Sequence, residues 1–85
     1  MEIEFSLRAL NDLEKWRKSG NKNIQKRITE LTNSILTTPF NGIGKPEPLK
    51  YGMTGLWSRR ITQADRFIYE VQEHLIIVHS LKGHY

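Results

Sequence analysis

A glutamate between two prolines and a histidine near the carboxyl end are the residues of this chain best suited to acid–base chemistry. Glu47 lies in the segment PFNGIGKPEPLK, which is too rich in proline and glycine for a helix or a central strand. Pro46 and Pro48 each fix their own φ, and Pro48 also keeps Glu47 out of the α region. We therefore expect a shaped loop that presents the carboxylate, with His84 as its partner across one basic groove.

Each of these residues also has a structural interpretation when it is considered alone. Glu47 would then be a solvated loop residue, because glutamate is rarely buried, and His84 would be a frayed chain end. We interpret two further histidines as structural. His74 falls in a predicted turn, and His79 lies in the last predicted strand, on the face opposite to the even-numbered positions that lead to His84. The joint occurrence of Glu47 and His84 is what favours a site.

Length, charge and cysteine content limit the classes of protein to consider. Eighty-five residues predict a single domain, residues 1–85. Thirteen Lys+Arg against nine Asp+Glu give a formal charge of +4 and a pI near 9.6, which favours an anionic partner. The absence of cysteine excludes disulfides and thiolate chemistry. The longest apolar run, residues 75–78, is too short for a bilayer, and the acidic start is unlike a secretory signal. We expect a soluble, cytoplasmic protein without membrane contact.

Two helices are predicted between the first strand and the Pro/Gly loop. Ser6 suits the N-cap of the first helix and Gly20 its left-handed C′ position. We interpret the residues repeating every three positions as its buried stripe: Leu7, Leu10, Leu13 and Trp16. Asn21 or Asn23 caps the second helix, which Pro39 closes. Its stripe follows the i, i+4, i+7, i+11 pattern: Ile24, Ile28, Leu31 and Ile35. The short link between the helices predicts an antiparallel hairpin.

Alternation with a period of two predicts the strands, at residues 1–5, 56–62, 66–72 and 75–81. We therefore predict an α+β fold in which the N-terminal strand and the helical hairpin pack on a twisted antiparallel sheet. Neighbours in a strand point to opposite faces, so at most one of Arg59 and Arg60 can line the groove. We assign Arg60 to the open face and interpret Arg59 as structural. The open face would collect Arg60, Arg66, Lys45 and Lys50.

Four segments in order carry a family resemblance: GKPEPLK at 44–50, GLWSRRIT at 55–62, RFIY at 66–69, and the terminal dipeptide HY. They resemble the Txe/YoeB family of bacterial toxins, part of the RelE-like group of ribosome-dependent mRNA endonucleases from toxin–antitoxin modules. The likeness covers nearly the whole chain. It implies a microbial-ribonuclease fold, RelE-like, with the active site on the concave face of the sheet.

The resemblance also implies residue roles. The catalytic positions carried over are Glu47, Arg66, His84 and Tyr85. Lys50 and Arg60 match accessory basic positions, which Lys45 would join in binding RNA phosphate. Two residues depart from the family pattern. Asp65 stands where histidine is common before the arginine, and Gly83 stands where a larger residue is usual. We expect altered geometry around Arg66 and a looser carboxyl-terminal tail.

These residue types suit RNA cleavage because RNA supplies its own nucleophile, the 2′-hydroxyl. Glu47 would act as the general base and His84 as the general acid. Arg66, with Arg60, would hold the phosphate oxygens, and Tyr85 would stack on a base or orient the phosphate. The chemistry needs no metal and no cofactor in principle.

The expected partners are the 70S ribosome with its mRNA, and a cognate antitoxin of the YefM/Phd type with an acidic C-terminal segment. Contact with DNA would come only through the antitoxin, because nothing in the chain resembles a helix-turn-helix. A second copy of the toxin, in a homodimer, is a further candidate partner. The alternative function is that of a non-enzymatic ParE-like toxin, which inhibits DNA gyrase by binding. A third interpretation is a degenerate member that acts only as a repressor with its antitoxin.

Overall fold

The computed structural model describes residues 1–50, 52–53 and 55–83. Within them the chain forms two helices and five strands, in the order β1 (Glu2–Phe5), α1 (Leu7–Ser19), α2 (Lys22–Thr37), β2 (Glu47–Pro48), β3 (Leu56–Arg60), β4 (Arg66–Gln72) and β5 (Leu75–Ser80). In these described residues the strands make one sheet in the order β1-β5-β4-β3-β2. Strands β2 to β5 pair antiparallel, and β1 adds to β5 in parallel. The predicted α+β architecture is confirmed.

The helix ends follow from residues that the sequence marks for them. Ser6 precedes α1, and its hydroxyl accepts the N–H of Ala9 at 3.0 Å. Gly20 ends α1 in the left-handed conformation, with φ at 73°. Asn21 then caps α2 by accepting the N–H of Ile24 at 3.1 Å. The hairpin link is therefore a C-cap followed directly by an N-cap, as short as the sequence predicts.

The buried stripe of α2 is confirmed. Ile28, Leu31 and Ile35 are buried, and the partly buried Ile24 packs against the same core. The helix ends at Thr37, two residues before Pro39, with Thr38 as its C-cap. Leucine and isoleucine at helical spacing thus form the core side of the longer helix.

The predicted stripe of α1 is wrong in its first half. Leu7 is 76% and Leu10 50% exposed, whereas Ala9, Asp12 and Trp16 are buried. The reason is geometric, since a helix turns about 100° per residue and a strict spacing of three falls about 60° short of a full turn at each step. Over the nine residues from Leu7 to Trp16 the shortfall reaches about 180°, which places the two side chains on opposite sides of the helix.

Paired substitutions can test this assignment of the core. We expect Leu10→Gln to change the free energy of unfolding by less than about 0.5 kcal/mol, because an exposed leucine is replaced by another good helix former. Leu31→Ala should cost about 2–5 kcal/mol, because it leaves a cavity in the core. Urea denaturation of both variants measures the two values. A loss above about 1.5 kcal/mol for Leu10→Gln would contradict the exposed position of that side chain.

The two faces of the sheet differ as the alternation predicts. Phe67 and Tyr69 of β4 join Ile76 and Val78 of β5 in one core cluster with the helices. The opposite face of β4 carries Arg66, Ile68 and Glu70, none of which belongs to the core cluster with the helices. Ile68 is 4% exposed, whereas Arg66 and Glu70 are partly exposed. This open face is where the predicted site residues of the sheet lie.

A bulge in β5 changes the expected position of His79. Ser80 pairs with Ile68 while Val78 pairs with Tyr69, so His79 is the extra residue between them. His79 Nε2 lies 3.0 Å from Glu70 Oε1, on the open face. The predicted face of His79 is therefore wrong, because one inserted residue reverses the order of inward and outward side chains. The structural interpretation of His79 stays a prediction. Hydrogen bonds, first from the Gln72 amide and then from His79, lower the pKa of the Glu70 carboxyl.

Candidate active site on the open face of the sheet

A buried arginine anchors the Pro/Gly loop behind the site. Arg59 is fully buried on the helix side of β3. Its guanidinium donates to three loop carbonyls, those of Thr38 at 2.7 Å, Asn41 at 2.9 Å and Ile43 at 3.1 Å. It also donates to Ser34 Oγ at 2.7 Å and the Tyr69 hydroxyl at 3.1 Å. The structural role predicted for Arg59 is confirmed. Its hydrogen bonds hold the first part of the loop that leads to Glu47 against the sheet.

Tyr69 closes the start of the same loop. Its hydroxyl donates to the Pro39 carbonyl at 2.7 Å while accepting from Arg59 Nε. Burial raises the pKa of Tyr69, and the Arg59 guanidinium opposes that rise without cancelling it. Tyr69 therefore remains a neutral donor at physiological pH. The beginning of the loop is attached to the sheet by a buried hydrogen bond.

Gly44 lets the loop lie directly against the core. Its φ is +83°, and a Cβ at this position would lie 2.7 Å from Leu31 Cδ2. Its carbonyl accepts the N–H of Arg60 at 2.7 Å. Lys45 follows with φ at 52°, a left-handed conformation that is uncommon for a residue other than glycine, and its side chain is exposed. The loop conformation thus presents Lys45 to solvent.

Glu47 lies on an edge strand, which refines the prediction of a loop. Glu47 pairs with Ser58, and Pro48 pairs with Trp57 at the outer edge of β3. Proline is tolerated there because an edge residue can face away from the ladder. Directly paired residues share a face, and Ser58 points away from the helix side that Arg59 occupies. The exposed Glu47 carboxylate therefore lies on the open face.

Two arginines face each other beside this carboxylate. Arg60 of β3 pairs directly with Arg66 of β4. Glu47 and Arg60 occupy diagonal positions of neighbouring strands, which are typically about 7–8 Å apart. Like charges in directly opposed positions destabilise a sheet, and none of the ion pairs among the described residues includes either arginine. The pair forms a cationic site that a phosphate group would neutralise.

The guanidinium of Arg66 is oriented by the turn between β3 and β4. Its Nη1 donates to the carbonyls of Thr62 at 3.0 Å, Gln63 at 3.2 Å and Asp65 at 3.4 Å. Its Nε and Nη2 make no hydrogen bond within the described part of the chain, so they are available to an anion. Asp65 does not draw Arg66 away from the open face. Its carboxylate binds Thr62 and Gly83 instead.

The remaining predicted residues are placed in part. Lys50 is exposed just after β2, so Lys45 and Lys50 flank the two ends of the short strand that carries Glu47. His84 and Tyr85 lie outside the described residues. The chain therefore brings Glu47, Arg60 and Arg66 to one face of the sheet.

The predicted loosening of the tail is not seen at Gly83. Its N–H donates to Asp65 Oδ1 at 2.7 Å, and its carbonyl accepts the N–H of Arg66 at 3.1 Å. Upstream, the N–H of Leu81 donates to the buried Asp12 carboxylate at 2.9 Å. The roles of Asp12 and Asp65 in holding the tail were not predicted from the sequence. Asp12 lies between Ala9 and Trp16 at helical spacing, so a carboxylate on the buried side of α1 could have indicated a structural role.

Among the described residues no group of His, Asp and Glu is arranged to hold a metal ion. Within the same residues neither helix combines the length and the apolar composition that crossing a membrane requires.

Comparison with known proteins decides the family. The family model of YoeB-like toxins of bacterial type II toxin–antitoxin systems matches residues 5–85. This chain belongs to the YoeB toxin family. It is therefore a toxin of a type II toxin–antitoxin system. Toxin YoeB of Escherichia coli K12 is 39% identical over 85 residues, with all of both chains covered.

Solved YoeB structures share the fold. The YoeB/ParE toxin from Agrobacterium tumefaciens superposes with a TM-score of 0.95 at 38% identity, over 100% of both chains. Staphylococcus aureus YoeB in complex with YefM gives a TM-score of 0.86 at 42% identity, covering 100% of this chain and 98% of that one. YoeB from S. aureus has also been solved as a dimer. YoeB membership and the RelE-like fold predicted from the sequence are confirmed.

Proposed function

We propose that this toxin is a ribosome-dependent endoribonuclease that cleaves mRNA in the A site of the 70S ribosome. The observation that carries the proposal is the directly opposed pair Arg60 and Arg66, without an acidic partner among the described residues, next to the exposed Glu47 on one face. A phosphodiester offers the negative charge that this pair lacks. The carboxylate beside it supplies the base that RNA cleavage requires.

Glu47 removes the proton from the ribose 2′-hydroxyl, whose oxygen then attacks the adjacent phosphorus. Arg66, assisted by Arg60, holds the non-bridging oxygens as negative charge accumulates on them. His84 donates a proton to the departing 5′-oxygen, and Tyr85 stacks on a base or orients the phosphate. The P–O5′ bond breaks, leaving a 2′,3′-cyclic phosphate and a 5′-hydroxyl.

The flanking lysines and the second helix support the binding step. Lys45 and Lys50 attract RNA phosphate at the two ends of β2, where each neutralised phosphate releases counterions. Arg27 of α2 reaches the same end of β3, because its Nη2 donates to the Arg60 carbonyl at 3.2 Å. Binding should therefore weaken as salt rises.

The antitoxin would silence the toxin by covering this face. A YefM/Phd-like partner with an acidic C-terminal segment has the charge to neutralise Arg60 and Arg66, and S. aureus YoeB has been solved with YefM. DNA is reached only through this partner. A homodimer of the toxin is proposed by analogy with the dimer solved for S. aureus YoeB.

A second candidate function is binding and inhibition of DNA gyrase without catalysis. The description of the A. tumefaciens relative as a YoeB/ParE toxin favours testing it. The geometry gives it less support, because a toxin that only binds has no need for a carboxylate beside paired arginines.

Inducible expression in a bacterial host separates the two functions. We expect mRNA 5′ ends to accumulate at codon-defined positions within minutes, while chromosomal DNA remains intact. The cuts should disappear in Glu47→Ala and in His84→Ala. DNA damage with intact mRNA would refute the nuclease and support gyrase inhibition.

A further inference from the structure

The last described residue, Gly83, is held on both sides by the turn that joins β3 to β4. Its N–H donates to Asp65 Oδ1 at 2.7 Å, and its carbonyl accepts the N–H of Arg66 at 3.1 Å. A hydrogen bond to a carboxylate is roughly twice as strong as one between neutral groups. Gly83 has φ at 81°, a conformation that glycine adopts without a steric penalty. The tail is thus attached directly beside the arginine assigned to the phosphate.

The carboxylate that holds Gly83 is itself fixed. Asp65 Oδ2 accepts the Thr62 hydroxyl at 2.7 Å, and the Asp65 N–H donates to Thr62 Oγ1 at 3.0 Å. The Asp65 carbonyl accepts the N–H of Ile61 at 3.0 Å. Hydrogen bonds therefore hold both the side chain and the backbone of Asp65 in a structure without RNA.

A separate set of contacts holds the tail to the core. The N–H of Leu81 donates to Asp12 at 2.9 Å, and the Leu81 carbonyl accepts the Trp16 indole N–H at 2.8 Å. Leu81 itself is fully buried. Because this anchor does not involve Asp65, replacing Asp65 should leave β5 and the core in place while removing one of the two hydrogen bonds that hold Gly83.

We propose that Asp65 is a positioning residue, which fixes Gly83, the residue that directly precedes His84 in the chain. The inference rests on the proposed nuclease function. Consecutive Cα atoms are about 3.8 Å apart, so the position of Gly83 limits the space from which His84 can act. A displacement of about 1 Å in a reacting group can cost about 100-fold in rate. Asp65 thus supports proton donation to the 5′-oxygen without touching the RNA.

The test compares Asp65→Ala and Asp65→Asn in the full-length toxin. Hydrogen exchange measured by NMR reports on the Gly83 N–H. Single-turnover cleavage of ribosome-bound mRNA is measured over a range of toxin concentrations, which separates the maximal rate from the half-saturating concentration. In Asp65→Ala we expect the rate of hydrogen exchange at the Gly83 amide to rise about 10- to 100-fold. The maximal rate should fall about 10- to 100-fold, and the half-saturating concentration should stay within about threefold. Asparagine keeps an oxygen acceptor, so Asp65→Asn should recover the rate to within about fivefold.

Glu73→Ala is the matched control, because it removes an equal charge from a side chain that is 90% exposed in the β4–β5 turn. It should leave both measurements unchanged. Unaltered Gly83 exchange or an unaltered maximal rate in Asp65→Ala would overturn the proposal, as would a rate that Asp65→Asn fails to restore. If the wild-type toxin does not cut RNA, the nuclease function is refuted instead. The rate of amide hydrogen exchange at Gly83 still shows whether Asp65 holds the tail.

Discussion

Glu47→Gln is expected to slow cleavage of ribosome-bound mRNA by about 10²- to 10⁴-fold, because it removes the group that we propose as the base for the 2′-hydroxyl. Glutamine keeps the shape of the side chain but does not take up the proton. Glu47 is exposed on a two-residue edge strand, so the free energy of unfolding should change by less than about 0.5 kcal/mol. Single-turnover cleavage measures the rate, and urea denaturation measures the stability.

The matched control is Glu73→Gln, the same substitution on the exposed β4–β5 turn. It should cleave at the wild-type rate. A loss below about tenfold in Glu47→Gln would show that another group takes the proton. A rate loss accompanied by a large loss of stability would instead show that Glu47 acts through the fold.

Arg59→Lys is expected to lower the free energy of unfolding by about 3 kcal/mol. Arginine satisfies two hydroxyls and three loop carbonyls from a fully buried position. Lysine has three donors, so at least two of these partners lose their hydrogen bond, and each unsatisfied group costs about 1–3 kcal/mol. For a domain of this size the melting temperature should fall by roughly 12–24 °C. Thermal and urea denaturation measure both values.

Arg60→Lys is the comparison for this experiment, because Arg60 is the next residue and points to the open face. Its effect on stability should stay within about 0.5 kcal/mol. Equal losses in the two variants would contradict the division of these neighbours between core and site.

Features set by local chemistry could be predicted from the sequence. Ser6, Gly20 and Asn21 mark helix ends because their side-chain or backbone preferences act over a few residues. Alternation in β3 separates Arg59 from Arg60, since neighbouring side chains in a strand point to opposite faces. The family resemblance then identified which residues on the open face form the candidate site.

Features set by distant pairing could not be predicted in the same way. The bulge at His79 depends on the register between β4 and β5, which no single segment determines. The hydrogen bonds from Leu81 and Gly83 join residues 69 and 18 positions away, at Asp12 and Asp65. A carboxylate between Ala64 and Arg66 predicts local pairing with the arginine equally well, so only the fold shows that Asp65 binds the tail.

We propose that the open face of the sheet cleaves RNA through attack of the 2′-hydroxyl. Analysis of the ends produced when purified toxin acts on mRNA bound to 70S ribosomes tests it most directly. We predict a 2′,3′-cyclic phosphate on the upstream fragment and a 5′-hydroxyl on the downstream fragment, at a single site per A-site codon. Fragments with a 5′-phosphate and a 3′-hydroxyl, or mRNA that remains intact, would contradict the account.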